Sequence, residues 1–454
     1  MDELDNLRKE ILRNENFCFH PFLEVSTRPN GVILPCCYWA EHLHLSKEEK
    51  VSADKSIDYF WNSKKFIEIR NDMYAGKEIR GCKVCTRDKA ASMRARSIRE
   101  NINNREYLQL VSDTIKNGGV APHLPRRLEL KPNNLCNLKC FTCNAYDSSQ
   151  VEKELRELDN KFGGIKSFGG RLREIKVGTP GVWEGSVKEY QLPNMIGLDW
   201  AETGEFWNEL INILPTLDVL SFAGGEPTVN PIVHKILKYC VDKDYAKNIT
   251  VFISSNFTNL NKEFFSLMPA YKKFELIASI DGIGDVQEYT RFPSKWHVIE
   301  KNFKIARQYM QHPNVKILVN ITVSILNIYY IIDLLEYLDA EFFNYPYYNE
   351  WPYNINLLNF PLELRIEWIP TELRAEIIDK IKSYQSKSDT LHFFPDLKIK
   401  TDLLIHELEK PYDPVQANFN LTILKNTITV IDSHRNVDHN KSIPFLNKIF
   451  LTGL

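Results

Sequence analysis

From Arg127 onward, short apolar runs alternate with segments whose apolar residues recur at helical spacing, and this alternation admits few folds. Arg127 to Leu130, Val219 to Ala223, Thr250 to Ser254, Glu275 to Ile280 and Val315 to Val323 read as strands. Between them, Phe206, Leu210, Ile213, Leu214 and Leu217 make one apolar helix face, Pro231 to Val241 a second, and Trp296 to Met310 a third. Strands separated by helices imply parallel βαβ crossovers. The fold class is therefore α/β, a sheet or a barrel, with loops at the strand C-termini free to carry a site.

A chain of 454 residues is long for one ordinary domain. Turn formers concentrate in Lys116-Asn-Gly-Gly-Val-Ala-Pro-His-Leu-Pro125, which places a boundary there: residues 1–115, an α/β core over 116–340, and an extension over 341–454 that completes or covers the core. Residues 153–199, with Gly163-Gly164, Gly169-Gly170 and Gly178 to Gly181, read as an inserted loop, either a lid or a tolerated excursion. The aromatic tract Phe342, Phe343, Tyr345, Tyr347, Tyr348, Trp351, Tyr353 reads as core packing under a loop or as a pocket lining. In the tail from Asp413 to Leu454, Ile431-Asp-Ser-His-Arg435 carries no legible chemistry. The net charge of -2 gives no reason to expect an obligatory nucleic acid partner, and Arg94, Arg96 and Arg99 read as a solvated helix face. Ile317 to Leu335 has the length of a membrane span but contains Asn320, Thr322, Ser324, Asn327 and Asp333, which fits a strand followed by a helix and no membrane partner. The charged, helical Met1 to Arg13 is unlike a signal peptide, so a cytoplasmic location is expected.

Nine cysteines without a secretory signal argue for metal binding or catalysis over a disulfide framework. Cys240 lies on the helix face Ile232, Val233, Ile236, Leu237, Val241 and reads as a buried, inert thiol. Cys136, Cys140 and Cys143 stand at CxxxCxxC spacing on the loop after the strand Arg127 to Leu130. Iron-sulfur clusters normally take four protein ligands, so a set of three leaves one iron open to a substrate or cofactor. A structural zinc site is normally closed by a fourth ligand, and no further Cys or His lies nearby in sequence.

Together with Ser221-Phe-Ala-Gly-Gly-Glu-Pro227 after the next strand, this loop resembles the radical S-adenosylmethionine (SAM) superfamily, whose triad follows the first strand of a partial (β/α)6 TIM-like barrel. The resemblance covers about 127–330. It implies that Cys136, Cys140 and Cys143 hold a 4Fe-4S cluster and that Gly224, Gly225 and Glu226 meet the methionine amino group. Glycines let backbone carbonyls approach a ligand, and a carboxylate suits an ammonium. By the same resemblance Ser255, Asn256, Ser279 and Asp281 are candidate cofactor contacts, although each also suits a cap of the following helix. Glu288-Tyr-Thr-Arg291 is similar to a stretch in peptide-modifying members, where Arg291 meets a carboxylate. Asn327 fits more loosely. Thr142 stands where many members carry an aromatic residue near the adenine, and Phe141 lies one position earlier.

A second constellation comprises Cys18, Gly31 to Cys36, Cys37 and the pair Cys82-Lys-Val-Cys85. Its spacing, with Tyr59 to Ser63 and Arg70 to Gly76 between, resembles the auxiliary iron-sulfur domains called SPASM and twitch over residues 17–86. That resemblance implies a small N-terminal iron-sulfur domain in which Cys18, Cys36, Cys82 and Cys85 close a second 4Fe-4S cluster, with Cys37 spare. Such domains generally follow the barrel; this one precedes it. A zinc ribbon accounts for the same four thiols.

The resemblance implies an enzyme that reductively cleaves S-adenosylmethionine to a 5'-deoxyadenosyl radical, supplied with electrons by a donor such as flavodoxin or ferredoxin. Members with such auxiliary domains commonly modify peptides or proteins, so a peptide or protein substrate is expected, with a sugar, nucleoside or other small molecule as the enzymatic alternative. From another class stands a non-catalytic, metal-stabilised binding protein.

Overall fold

The computed structural model describes residues 2–39, 56–87, 93–162, 200–342, 352–387 and 395–453. Among the described residues eight strands are present: β1 (Glu24–Thr27), β2 (Ile33–Leu34), β3 (Arg127–Leu130), β4 (Val219–Phe222), β5 (Thr250–Ser255), β6 (Lys273–Ser279), β7 (Val315–Val323) and β8 (Tyr353–Leu357). They form one mixed sheet in the order β2-β1-β3-β4-β5-β6-β7-β8, with β2 and β8 as its edges. Only β2 is antiparallel to its neighbour; the other pairs are parallel. The expected strand and helix alternation is present, with helices Gly204–Ile213, Pro231–Asp242 and Trp296–Gln308 at the places the periodicity indicated.

The two faces of the sheet differ in chemistry. Leu128, Leu130, Leu220, Phe222, Val251, Ile253, Leu276, Ile317 and Val319 are buried in the main core, together with Phe206, Ile236, Cys240 and Phe303 from the helices. Cys240 is 0% exposed, as its apolar helix face suggested. The other face carries polar pairs toward both edges of the sheet: Glu24 pairs with Arg127 at 3.3 Å, Glu129 with Lys131 at 3.7 Å, and Asn356 donates to Asn320 at 2.6 Å. Parallel sheets normally have apolar cover on both faces, so a polar face here leaves room for function.

Three segments depart from the sequence reading. β1 and β2 are four and two residues long, too short to show a period, and they precede Arg127, where the strands read from the sequence begin. β1 pairs with β3, Glu24 opposite Arg127, so residues before 116 supply part of the same sheet. Lys153 to Phe162, taken as the start of an irregular insertion, belongs to the helix Ser149–Phe162. The extension carries β8, where Tyr353 and Ile355 are buried and Asn354 is exposed; Phe342 is buried too. The rest of the insertion (163–199) and the aromatic tract over 343–351 lie outside the described residues. Among the described residues no helix is long and apolar enough to cross a membrane.

Arg70 ties separate segments of the N-terminal region to one another. It is 0% exposed. Its guanidinium donates to the carbonyls of Pro21 (2.8 Å), Trp61 (2.7 Å) and Gly119 (3.0 Å) and to Asn62 Oδ1 (3.0 Å), and it lies 4.2 Å from the Trp61 ring. Burial lowers the Arg70 pKa to about 9, which measures how much those acceptors must compensate. Arg70→Met leaves several buried carbonyls without donors, and we expect a loss of about 3 kcal/mol in urea unfolding. A loss under about 0.5 kcal/mol, the range of neutral surface changes, would contradict this role.

Candidate functional site

The cysteine loop leaves the C-terminal end of β3, and three kinds of contact shape it. Asn residues that precede and interleave the cysteines reach neighbouring strand ends: Asn230 Nδ2 donates to Asn133 Oδ1 (2.8 Å), and Asn137 Nδ2 donates to Thr258 Oγ1 (2.7 Å). Asn134 Nδ2 donates to the carbonyl of Ala145 and to Glu152 Oε2, both at 3.0 Å. Main chain also pairs with the loop after β6, Lys139 N donating to the Phe292 carbonyl (2.6 Å) and Phe141 N to the Thr290 carbonyl (2.9 Å). Ser149, at the start of the following helix, accepts from Cys136 N at 3.1 Å.

Cys136, Leu138 and Cys140 form one small buried cluster with Cys143 packed against it. Burial first, then the neighbouring Cys140, pushes the Cys136 thiol up to about 12. Cys143 is raised by burial and by Cys140, Asp147 and Cys136. Three thiols brought together, with Cys136 and Cys143 disfavoured as bare thiolates, are a donor set that a cation stabilises, with release of protons on binding. The residues present thus fit a metal group.

Gly224-Gly225-Glu226 docks directly on this loop. Glu226 N donates to the Leu135 carbonyl (2.8 Å) and Gly225 N to the Asp147 carbonyl (3.0 Å). Gly224 has φ +72 and a Cβ there would sit 3.0 Å from Lys131; Gly225 has φ +60 and its Cβ would run into the Leu135 carbonyl oxygen. Both positions therefore need glycine for conformation and for space. Glu226 is 3% exposed. Its Oε1 accepts from Thr228 N (3.1 Å) and Oγ1 (2.7 Å), and its Oε2 accepts from Asn256 N (2.6 Å). Desolvation raises its pKa, and these donors oppose the shift.

The remaining candidates converge on the same end of the sheet, many with partners inside the protein. Ser255 Oγ accepts from Phe257 N at 3.0 Å. Asn256 donates to Asn137 Oδ1 (2.8 Å) and accepts from Thr258 N (2.9 Å), a local turn of the capping kind. The Ser279 carbonyl accepts from Gln287 Nε2 at 3.4 Å. Asp281 is 2% exposed, with Oδ2 on Arg291 Nε (2.7 Å) and Oδ1 on Thr322 N (2.8 Å). Arg291 also points Nη1 at Cys140 Sγ, 4.0 Å away, so it joins the cysteine loop to the carboxylate. Asn327 Nδ2 donates to the Asp281 carbonyl at 2.7 Å. Phe141 is 1% exposed and stacks on Tyr289 at 5.1 Å, which makes it an anchor of the loop.

The N-terminal cysteines also meet. Cys18 precedes the helix His20–Leu23, Cys36 follows β2, Cys82 ends the turn Arg80–Cys82 and Cys85 lies in the helix Lys83–Arg87. Burial raises the Cys18 thiol to about 12, and Cys82 and Cys85 add to the shift; Cys36 is raised by burial and then by Cys37, Cys18 and Cys82. Trp39 packs with Cys36 and Cys82, and among the described residues its buried indole N–H has no hydrogen-bond partner. An acceptor that these thiols would bring with them would satisfy it. Cys37 turns elsewhere: its sulfur and carboxylate oxygens of Glu24 and Glu129 lie within 4.8 Å of one another.

Sequence reasoning missed the asparagines, which carry a signal in Asn133-Asn134 beside the triad, and missed the tail entirely. Arg435, the last residue of helix Pro414–Arg435, donates Nη2 to the Lys139 carbonyl within the triad (2.7 Å). No local pattern marks that contact, which spans 296 residues.

No protein-family model and no curated protein matches the chain. Among solved structures it is similar to SuiB of Streptococcus suis bound to S-adenosylmethionine, at 15% identity over 71% of this chain and 62% of that one, with a TM-score of 0.32. It is similar to anSMEcpe with bound AdoMet at 14% identity, covering 57% of this chain and 60% of that one, with a TM-score of 0.36. It is similar to TsrM from Kitasatospora setae, a radical S-adenosylmethionine methyltransferase with cobalamin and a 4Fe-4S cluster bound, at 10% identity, covering 34% and 28%, with a TM-score of 0.26. The chain spans less than two thirds of each of these proteins. SuiB has also been solved with its precursor peptide SuiA, and anSMEcpe with the Cp18Cys peptide.

The close seating of Gly225 gives a direct test. Gly225→Ala forces a Cβ into the Leu135 carbonyl at positive φ, and we expect a loss of about 1–3 kcal/mol in chemical unfolding. Wild-type stability would mean that the turn shifts freely on the cysteine loop.

Proposed function

We propose that this chain is a two-cluster radical S-adenosylmethionine enzyme that abstracts hydrogen from a peptide or protein. The observation that carries the reading is the meeting of three cysteine thiols, the Gly224-Gly225-Glu226 turn and Arg291 at one end of a largely parallel sheet. Cys136, Cys140 and Cys143 hold a 4Fe-4S cluster with one open iron, and Cys18, Cys36, Cys82 and Cys85 hold the auxiliary one. When bound, cluster and cofactor supply a 5'-deoxyadenosyl radical by one-electron cleavage, with flavodoxin or ferredoxin as the kind of donor required.

The chain's own residues position and shield that chemistry. Gly224 and Gly225 keep side chains out of the turn, so main-chain groups would be open to the cofactor's ammonium. Glu226 holds the turn through Thr228 and Asn256 and adds negative charge beneath it. Arg291 offers a cation to the Cys140 sulfur while Asp281 balances it. Ser255, Asn256 and Ser279 line the same end. On the polar sheet face, Glu129, Lys131, Asn320, Asn354 and Asn356 offer paired donors and acceptors, which suits a substrate rich in amides. In this reading the sheet is the open, partial barrel of a radical enzyme, and the N-terminal cysteines form a twitch-like unit on its β1 side.

Anaerobic reconstitution with iron and sulfide should load about eight irons per chain, four for each cluster. With a strong reductant and S-adenosylmethionine, 5'-deoxyadenosine should appear. Cys136→Ala should lose about four irons and all cleavage, while Cys82→Ala loses about four irons and keeps the cofactor-dependent signal of the other cluster. Tight zinc with no 5'-deoxyadenosine would sink the proposal.

A further inference from the structure

The tail helix Pro414–Arg435 ends against the cysteine loop. Asn436 follows in the left-handed region at φ 53, closing the helix and leaving Arg435 on its last turn, where carbonyl groups favour a cation. The Arg435 guanidinium grips Glu154 with two bonds, Nε to Oε1 at 2.8 Å and Nη2 to Oε2 at 2.7 Å. Both side chains are 0% exposed. The same Nη2 donates to the carbonyl of Lys139, the residue immediately before Cys140. Lys139 Nζ reaches Glu154 at 3.6 Å, so one buried carboxylate collects the loop and the tail.

Ring contacts place the guanidinium further. It lies 4.9 Å from the Phe141 ring and 5.1 Å from the Phe292 ring. Phe141 stands between Cys140 and Cys143, and the Phe292 carbonyl accepts from Lys139 N. One turn earlier, Asp432 accepts from Tyr289, the residue stacked on Phe141, and pairs with His439 at 2.8 Å. Arg435 therefore touches the loop at its main chain, at its aromatic anchor and at the segment that pairs with it. Among the described residues its buried Nη1 has no hydrogen-bond partner.

We infer that Arg435 is a positioning residue for the open-iron cysteine loop: through Glu154, the Lys139 carbonyl and Phe141 it sets how the three thiols face the cofactor. The inference rests on the proposed function of that loop. A planar fork can hold a carboxylate and a carbonyl at once, whereas a lysine ammonium holds one geometry loosely. Arg435→Lys thus keeps the charge and removes the fork.

The test uses the anaerobically reconstituted full chain and S-adenosylmethionine as the probe. Wild type should show a change in the electron paramagnetic resonance spectrum of one reduced cluster on adding the cofactor. Arg435→Lys should keep its iron content and the signal of the N-terminal cluster, yet need roughly tenfold or more cofactor for that change and form 5'-deoxyadenosine at least about tenfold more slowly. If Arg435→Lys does not fold, Glu154→Gln, which keeps size and an acceptor oxygen, should displace the cofactor titration in the same direction. A spectrum and titration equal to wild type in the folded variant would overturn the inference alone. A wild-type protein whose spectrum ignores the cofactor would overturn the loop's assignment and the inference with it.

Discussion

A buried carboxylate ties three strand ends together. Glu226 follows β4, takes its backbone acceptor from the loop after β3 and lends Oε2 to the main chain after β5. Such a group is costly in a dry place unless donors surround it, and here Thr228 and Asn256 do so. The arrangement works only because Gly225 lets the turn lie against the Leu135 carbonyl without an intervening side chain. The separation between the cysteines and the turn is thus set by hydrogen bonds and van der Waals contact, before any ligand arrives. A site so assembled has little freedom to settle elsewhere.

Much of this was legible in order along the chain, because repeating patterns report local geometry. Helix faces such as Ile232, Ile236 and Cys240, and strands such as Val315–Val323 with its alternating burial, carry their period in full view. Cysteine spacing marked both thiol sets. What stayed hidden depends on distance. β1 is four residues long and gains its meaning from β3, more than a hundred positions later. β8 was obscured by its aromatic company. Glu154 and Arg435 are ordinary charged residues in helices, and only the fold reveals that each is the other's partner. Phe141 looked displaced by one position from a ligand-facing role, while the structure shows it filling core space beneath Tyr289.

Both ends of the chain converge on β3 and its loop. From the N-terminal side, β1 lies alongside β3. From the C-terminal side, Asp432 and Arg435 grip Tyr289 and Lys139. Lys131, whose stem packs under Gly224, and Glu129 extend the polar sheet face from the turn toward Cys37. One short strand thus carries the cysteine loop at its end and, at Glu129, lies beside Cys37.

The pairing of β1 with β3 also bears on how the molecule can be divided. A cut near residue 116 looks natural from the glycines and prolines there, yet it would strip β3 of a neighbour along three residue pairs. The freed main-chain donors and acceptors would form a raw sheet border, the kind of surface on which chains stick to one another. The first hundred residues thus also act as a selvedge for the sheet, keeping the strand that bears the cysteine loop from becoming an adhesive rim.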